Sequence, residues 1–254
     1  WGAAVIILTP VAWRETYEKA GYLGSRLGAV ILLGLFIAGG STLLVWSVQY
    51  TTATNVSLIS AAQPIVTAVM AWGILHDRLT PIQLTGTLAA AVGVLIMVVQ
   101  MDFTVLVNLS FNPGDLLILS AVVFYACYAI FLHRWLEGVS ALLMMYVSAI
   151  AGLVVIAPFY VLEVVFVQPF NWAPDVVRAM VFMALVPTVL ATTMWNRSVG
   201  IIGPGRASIF INLLPIFGTG MAVLFLHEAP HVYHLIGGAL VCIGITAVVR
   251  GGRV

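Results

Sequence analysis

Residues His227-Glu228-Ala229-Pro230-His231 spell H-E-x-x-H, the pattern with which one class of proteases holds zinc on a helix. That chemistry needs both histidines on one face of a continuous helix with a third ligand nearby. Pro230 interrupts any such helix, and Glu228-Ala229-Pro230 reads as a turn. We therefore assign no catalytic residue, no metal and no cofactor to the chain. Pro64 and Pro215 carry a different chemistry, because each sits near the middle of a long apolar run. A proline there frees the carbonyl four residues earlier, at Ser60 and Ile211. In hydrocarbon a freed carbonyl must face protein or a wet cavity. Uncharged polar residues gather nearby: Ser60, Gln63, Ser208 and Asn212, with Gln49 and Thr192 on other runs. Trp46, Tyr125, Tyr128 and Trp195 supply aromatic walls. Such a set suits a neutral or zwitterionic small molecule. Single Ser and Thr residues also mediate dry helix packing in membranes. Gln49, Gln63 and Asn212, costlier to bury unpaired, are the stronger lining candidates.

The elements that must position these residues are membrane helices. The chain has 254 residues, 62% hydrophobic and 7% charged, against about 25% charged in an average soluble domain. So few charges cannot cover a soluble surface. The reading is an all-α integral membrane protein with spans at about 27–50, 53–76, 81–101, 113–135, 141–166, 175–198, 205–227 and 232–250. Each approaches the roughly 20 apolar residues a crossing needs. Punctuation between them is tight, as in His76-Asp77-Arg78-Leu79-Thr80-Pro81, Asn112-Pro113-Gly114-Asp115, Asn171-Trp172-Ala173-Pro174-Asp175 and Gly203-Pro204-Gly205. Cys127 and Cys242 lie within apolar runs and read as packing residues. Basic residues are scattered singly, which excludes a nucleic-acid partner.

Charge placement gives the spans a sidedness. With 14–26 placed in the cytoplasm, alternation puts 77–80, 136–140, 199–204 and the C-terminus there too. Nine of the ten basic residues flank those segments, including Arg14, Lys19, Arg26, Arg78, Arg206 and Arg253, and only Arg178 falls opposite. Lys/Arg bias sets orientation, so the expected location is a cell (inner) membrane, multi-pass, with the C-terminus cytoplasmic.

A shift of 151 residues aligns the chain with itself. Ser57, Pro64, Ile65, Met70, Ala71, Leu75, His76, Leu84, Gly86 and Gly93 meet identical residues, ten matches over 37 positions without a gap. The repeat spans five helices, an odd number, so the two copies are inverted: 1–101 and 113–250. Inverted repeats are a common construction of carriers. Trp46 and Trp195 fall two residues out of register, which fits an extra pair of residues near Gly203-Pro204. The segment Trp1–Trp13, broken by Pro10, is too short to span. It reads as the end of a second helix, in a parent of ten spans whose first helix precedes this sequence.

These residues resemble the drug/metabolite transporter superfamily, specifically its EamA-type ten-helix exporters. The likeness covers the whole chain. Tyr50-Thr51-Thr52-Ala53-Thr54-Asn55-Val56-Ser57-Leu58-Ile59 followed by Pro64 resembles the family's third-to-fourth helix passage. His76-Asp77-Arg78-Leu79 resembles its Gly-Glu-Arg-Leu turn, with His and Asp in place of Gly and Glu. Gly86, Gly93, Gly237 and Gly244 match the glycines of each copy's last helix, and Trp1 matches part of an Arg-Trp pair. The resemblance implies a permease, usually an exporter of small metabolites such as amino acids, or of drugs. Its central cavity would lie between the repeats.

No Lys, Arg, Asp or Glu stands at mid-span. That argues against phosphorylated substrates, which would want buried cations, and leaves no proton-relay carboxylate in view. The alternatives are an intramembrane metalloprotease, which requires a helical, metal-loaded HEAPH segment, and a non-transporting sensor or scaffold, which predicts a packed interior. The expected partners are the lipid bilayer and a small-molecule substrate, with the chain acting as a monomer.

Overall fold

The computed structural model describes residues 1–251 apart from 103, 109, 136–137, 167–172 and 228. Asn171, Trp172, Glu228 and Arg253 from the loop and charge readings lie outside the described residues. All regular structure among the described residues is helical. In chain order the α-helices are α1 (Gly2–Glu18), α2 (Ala20–Ser25), α3 (Leu27–Ser47), α4 (Ala53–Ala61), α5 (Gln63–Leu75), α6 (Pro81–Val99) and α7 (Thr104–Val107). They continue with α8 (Pro113–Trp135), α9 (Ala141–Phe166), α10 (Pro174–Met183), α11 (Thr192–Ile202), α12 (Pro204–Ser208), α13 (Leu214–Leu226) and α14 (Val232–Arg250). A π-helical stretch, Ala184–Ala191, joins α10 to α11, and a 3-10 stretch, Ile209–Leu213, joins α12 to α13. Eight spans among the described residues are long and apolar enough to cross a membrane, within a few residues of the predicted boundaries.

Two details differ from expectation. Pro10 does not break the first segment, because α1 runs through it to Glu18. A proline removes one intrahelical bond, and the flanking turns hold. The span predicted at 175–198 extends over Pro174–Ile202 and contains the π stretch, whose cause is Pro187. Lacking an N–H, Pro187 leaves the Met183 carbonyl without its usual donor. The Thr188 hydroxyl donates to that carbonyl at 2.8 Å, from five residues on. Thr192 repeats the i to i−5 pattern on the Pro187 carbonyl at 3.1 Å.

The chain forms two compact units, each drawn from both sequence repeats: residues 1–42 with 127–201, and residues 43–126 with 202–254. In the first unit α1 packs on α9, and Thr9 and Tyr146 hydroxyls meet at 3.1 Å. Gly34 sits so close to α9 that a Cβ there would lie 2.5 Å from Ala151 Cβ and Gly152 N. Phe36, Phe131 and Trp135 stack at centroid spacings of 5.7 and 4.9 Å. The Glu15 carboxylate accepts from the Ser140 backbone N–H at 3.0 Å, and Lys19 donates to the Gly138 carbonyl. Glu15 and Lys19 therefore meet Gly138 and Ser140 at one end of the unit.

The second unit is built on the antiparallel pair α6 and α14. Thr80 and Gln83 start α6 with a reciprocal capping box, the Thr80 hydroxyl accepting at 3.2 Å and the Gln83 amide oxygen at 3.0 Å. The two helices touch backbone to backbone. A Cβ on Gly86 would lie 2.6 Å from the Gly244 carbonyl oxygen, and one on Gly93 would lie 2.5 Å from that of Gly237. Gly86 and Gly237 are equivalent under the 151-residue shift, as are Gly93 and Gly244. Each glycine thus faces the counterpart of the other, the signature of a twofold contact.

Candidate functional site: paired helix breaks

Both mid-span prolines begin a new helical segment. Pro64 stands in the first turn of α5, after α4 has ended at Ala61 and Ala62 has bonded back to the Ile59 carbonyl at 3.1 Å. Pro215 stands in the first turn of α13, after the 3-10 stretch. There the carbonyl of Ile211, expected to be free, accepts from the Leu214 N–H. Tightening to i→i−3 bonds supplies the partner that proline denies. The two breaks converge within the second unit. Ala61 is buried with Val94 of α6 and Val241 of α14, and Leu213 and Ile216 pack on that same cluster.

The polar groups at this convergence differ in their engagement. Asn212 is 2% exposed, and its side-chain amide nitrogen has no hydrogen-bond partner. Ser208 is buried, but its hydroxyl donates to the Gly205 carbonyl at 2.9 Å, within its own helix. Ser60, Gln63 and Pro215 are half-buried and Pro64 is buried. Tyr125 is half-buried on the portion of α8 that belongs to this unit. Trp46 is exposed near the end of α3, and Gln49 is exposed in the turn beyond it. The first unit holds the other three predicted residues. Tyr128 is buried, with its hydroxyl donating to the Asn196 side-chain oxygen at 2.9 Å. Thr192 and Trp195 are half-buried on α11, with the Thr192 hydroxyl engaged by the Pro187 carbonyl. Of the predicted polar set, Asn212 is therefore the buried residue that keeps an unengaged donor.

Sequence reasoning passed over a buried carboxylate. Asp115 is 3% exposed at the start of α8. It accepts from the Thr51 hydroxyl at 2.6 Å, from the Asn55 amide at 3.0 and 3.1 Å, and from the Asn112 backbone N–H at 3.0 Å. The signal was the acidic residue in Asn112-Pro113-Gly114-Asp115, which reads as turn punctuation until its partners some 60 residues away are seen. Gly114 allows the approach: a Cβ there would lie 2.8 Å from the Thr51 backbone nitrogen.

The HEAPH segment does not form one helix. His227 ends α13 in the left-handed conformation (φ 56°), and His231 precedes α14, so the two histidines share no helix face. His231 instead donates its backbone N–H to His234 Nδ1 at 3.1 Å.

The EamA-like transporter family model matches residues 1–99 and 112–250. Among curated relatives, the "Uncharacterized transporter YyaM" of Bacillus subtilis (strain 168) is 28% identical over 244 residues, 96% of this chain and 79% of that protein. An "Uncharacterized transporter" of Archaeoglobus fulgidus is 22% identical, covering 96% of this chain and 82% of that protein. The "Probable terminal-alkyne amino-acid exporter" of Streptantibioticus cattleyicolor is 25% identical, over 91% of this chain and 78% of its own length. A solved crystal structure superposes with a TM-score of 0.76 at 16% identity, over 96% of this chain and 84% of that one, and so shares the fold. With apolar spans throughout and a family match over nearly its whole length, this multi-pass membrane chain belongs to the EamA-like transporter family, and it is a membrane transporter.

Proposed function

We propose that this transporter exports small neutral or zwitterionic metabolites, amino acids among them, or drug-like molecules of similar polarity, by alternating access. The reading places it in a cell (inner) membrane with a cytoplasmic C-terminus. One observation carries the mechanism: the two broken spans are reciprocal in sequence but not in packing. α12 lies on α5, with a Cβ on Gly205 only 3.8 Å from Ala68 Cα and 3.7 Å from the Leu79 side chain. The shift maps this pair onto α4 and α13. Yet α4 packs on α6, and no comparable contact joins α4 to α13 among the described residues. Two related halves that occupy inequivalent positions can exchange them, which opens each face in turn. The breaks at Ala62 and at Ile209–Leu213 provide the bending points, and the unengaged Asn212 amide offers a substrate its hydrogen bond. The substrate class follows from mid-span walls without charge, and the amino-acid exporter among the relatives supports it.

A cross-linking experiment tests the exchange in protein whose Cys127 and Cys242 are first replaced by Ala. Cysteines at Ala68 and Gly205 should cross-link at rest and stop transport in proteoliposomes scanned with amino acids, with and without a pH gradient. Cysteines at the shifted positions, Thr54 and Thr219, should cross-link only during turnover. Full transport by the linked Ala68→Cys/Gly205→Cys protein would overturn alternating access through this contact. Asn212→Ala should lower uptake about tenfold, the loss expected from one buried hydrogen bond of roughly 1.4 kcal/mol. Unchanged uptake of every accepted substrate would remove Asn212 from the site.

A further inference from the structure

In the first unit, α8, α9 and α11 bring three buried polar side chains to one point. Tyr128 comes from α8, Ser148 from α9 and Asn196 from α11, and the latter two are 0% exposed. The Tyr128 hydroxyl donates to Asn196 Oδ1 at 2.9 Å and lies beside Ser148. Asn196 Nδ2 and Ser148 Oγ have no partner of acceptable geometry. Turning the Asn196 amide over does not remove the deficit. Its nitrogen would then donate to Tyr128, but its oxygen would become the atom without a partner. Whichever way the amide points, one amide atom of Asn196 stays unsatisfied in an apolar span, next to a Ser148 hydroxyl that keeps hydrogen-bonding capacity to spare. Buried polar groups in folded proteins find partners, and an internal water that makes two to four hydrogen bonds is the common remedy.

We propose that Tyr128, Ser148 and Asn196 form a binding site for one internal water molecule, which joins α8, α9 and α11 at the level of the bilayer. Water is the guest that the chemistry selects. It accepts from Asn196 Nδ2 while it donates to, or accepts from, Ser148 Oγ, and it matches the deficit in either amide orientation. A carboxylate or a larger polar ligand does not suit a point whose side chains are sealed from solvent. The site lies one residue from Trp195, so the water holds α11, and with it this candidate aromatic wall, in register.

Radiolytic hydroxyl labelling in H2(18)O, read by mass spectrometry on the intact protein in nanodiscs, tests this. Radicals formed from a bound internal water mark the side chain that touches it, even where bulk solvent does not reach. Tyr128 should take up 18O at a rate within about tenfold of exposed Tyr17. In the Ser148→Ala/Asn196→Leu protein the label at Tyr128 should fall at least about fivefold while Tyr17 is unchanged. The proposal is overturned if Tyr128 of the unmodified protein gains no label, or if the double substitution leaves its label unaltered. Should the double variant fail to fold, the unmodified protein decides by itself.

Discussion

The spans Ala53–Leu75 and Pro204–Leu226 share their prolines, their breaks and their closing histidines, yet the molecule uses them differently. The first is anchored. Thr52 caps α4 by accepting from the Asn55 N–H at 3.2 Å, the Asn55 side chain is tied to Asp115, and α5 buries Pro64, Thr67, Ala68 and Ala71. The second is held only at its start. From Gly203 at φ 82°, α12 buries Pro204, Gly205, Ala207 and Ser208, the chain passes through a 3-10 stretch, and α13 contributes no buried residue. Equivalent positions have diverged accordingly. Thr67 is 1% exposed, whereas at its counterpart Gly218 an added Cβ would meet nothing within 4 Å. Common sequence origin fixes where a helix breaks. The neighbours decide whether the broken halves are clamped or free.

The largest expected effect comes from releasing the clamp. Asp115→Ala leaves the Thr51, Asn55 and Asn112 donors unpaired and should lower stability by about 3 kcal/mol, the scale of hydrogen bonds to a buried charge. A melting shift of under a degree in detergent would show that the anchor carries no weight. Next comes the matched pair. Thr67→Leu overfills a closed site and should destabilise by about 2 kcal/mol. Gly218→Ala should stabilise by up to about 1 kcal/mol, because helical glycine gives way to alanine in open space. Equal responses at the two positions would erase the contrast. The smallest effect should be the same in both spans. His76 and His227 close their helices at φ 58° and 56°, where an L side chain is strained. His76→Gly and His227→Gly should each raise stability by about 1 kcal/mol. A gain at one site only would place the asymmetry at the helix ends as well as at the breaks.

Much of this was legible in the sequence because membrane spans announce themselves by length and apolarity. The prolines, glycines and inverted repeat appear as residue identities. Helix rotation was not legible. When lipid and protein are both apolar, periodicity no longer marks the buried face. Hence Trp195 was selected while Asn196, one residue on, is the sealed one. Exposed Gln49 and buried Tyr128 looked alike for the same reason. The Pro187 π stretch escaped because Thr188, which answers the orphaned carbonyl, is an ordinary residue in an ordinary apolar run. Asp115 escaped because its meaning depends on Thr51 and Asn55, far away along the chain.

The glycine crossing of α6 and α14 has a consequence for how this gene can vary. Gly86 meets Gly244 and Gly93 meets Gly237, so the interface is written twice, once in each half, and neither text can be edited alone. A substitution tolerated at one glycine must suit a carbonyl contributed by the other copy, whose own counterpart faces the same demand. The two halves are free to drift apart elsewhere, but along this seam they remain bound to each other's spelling.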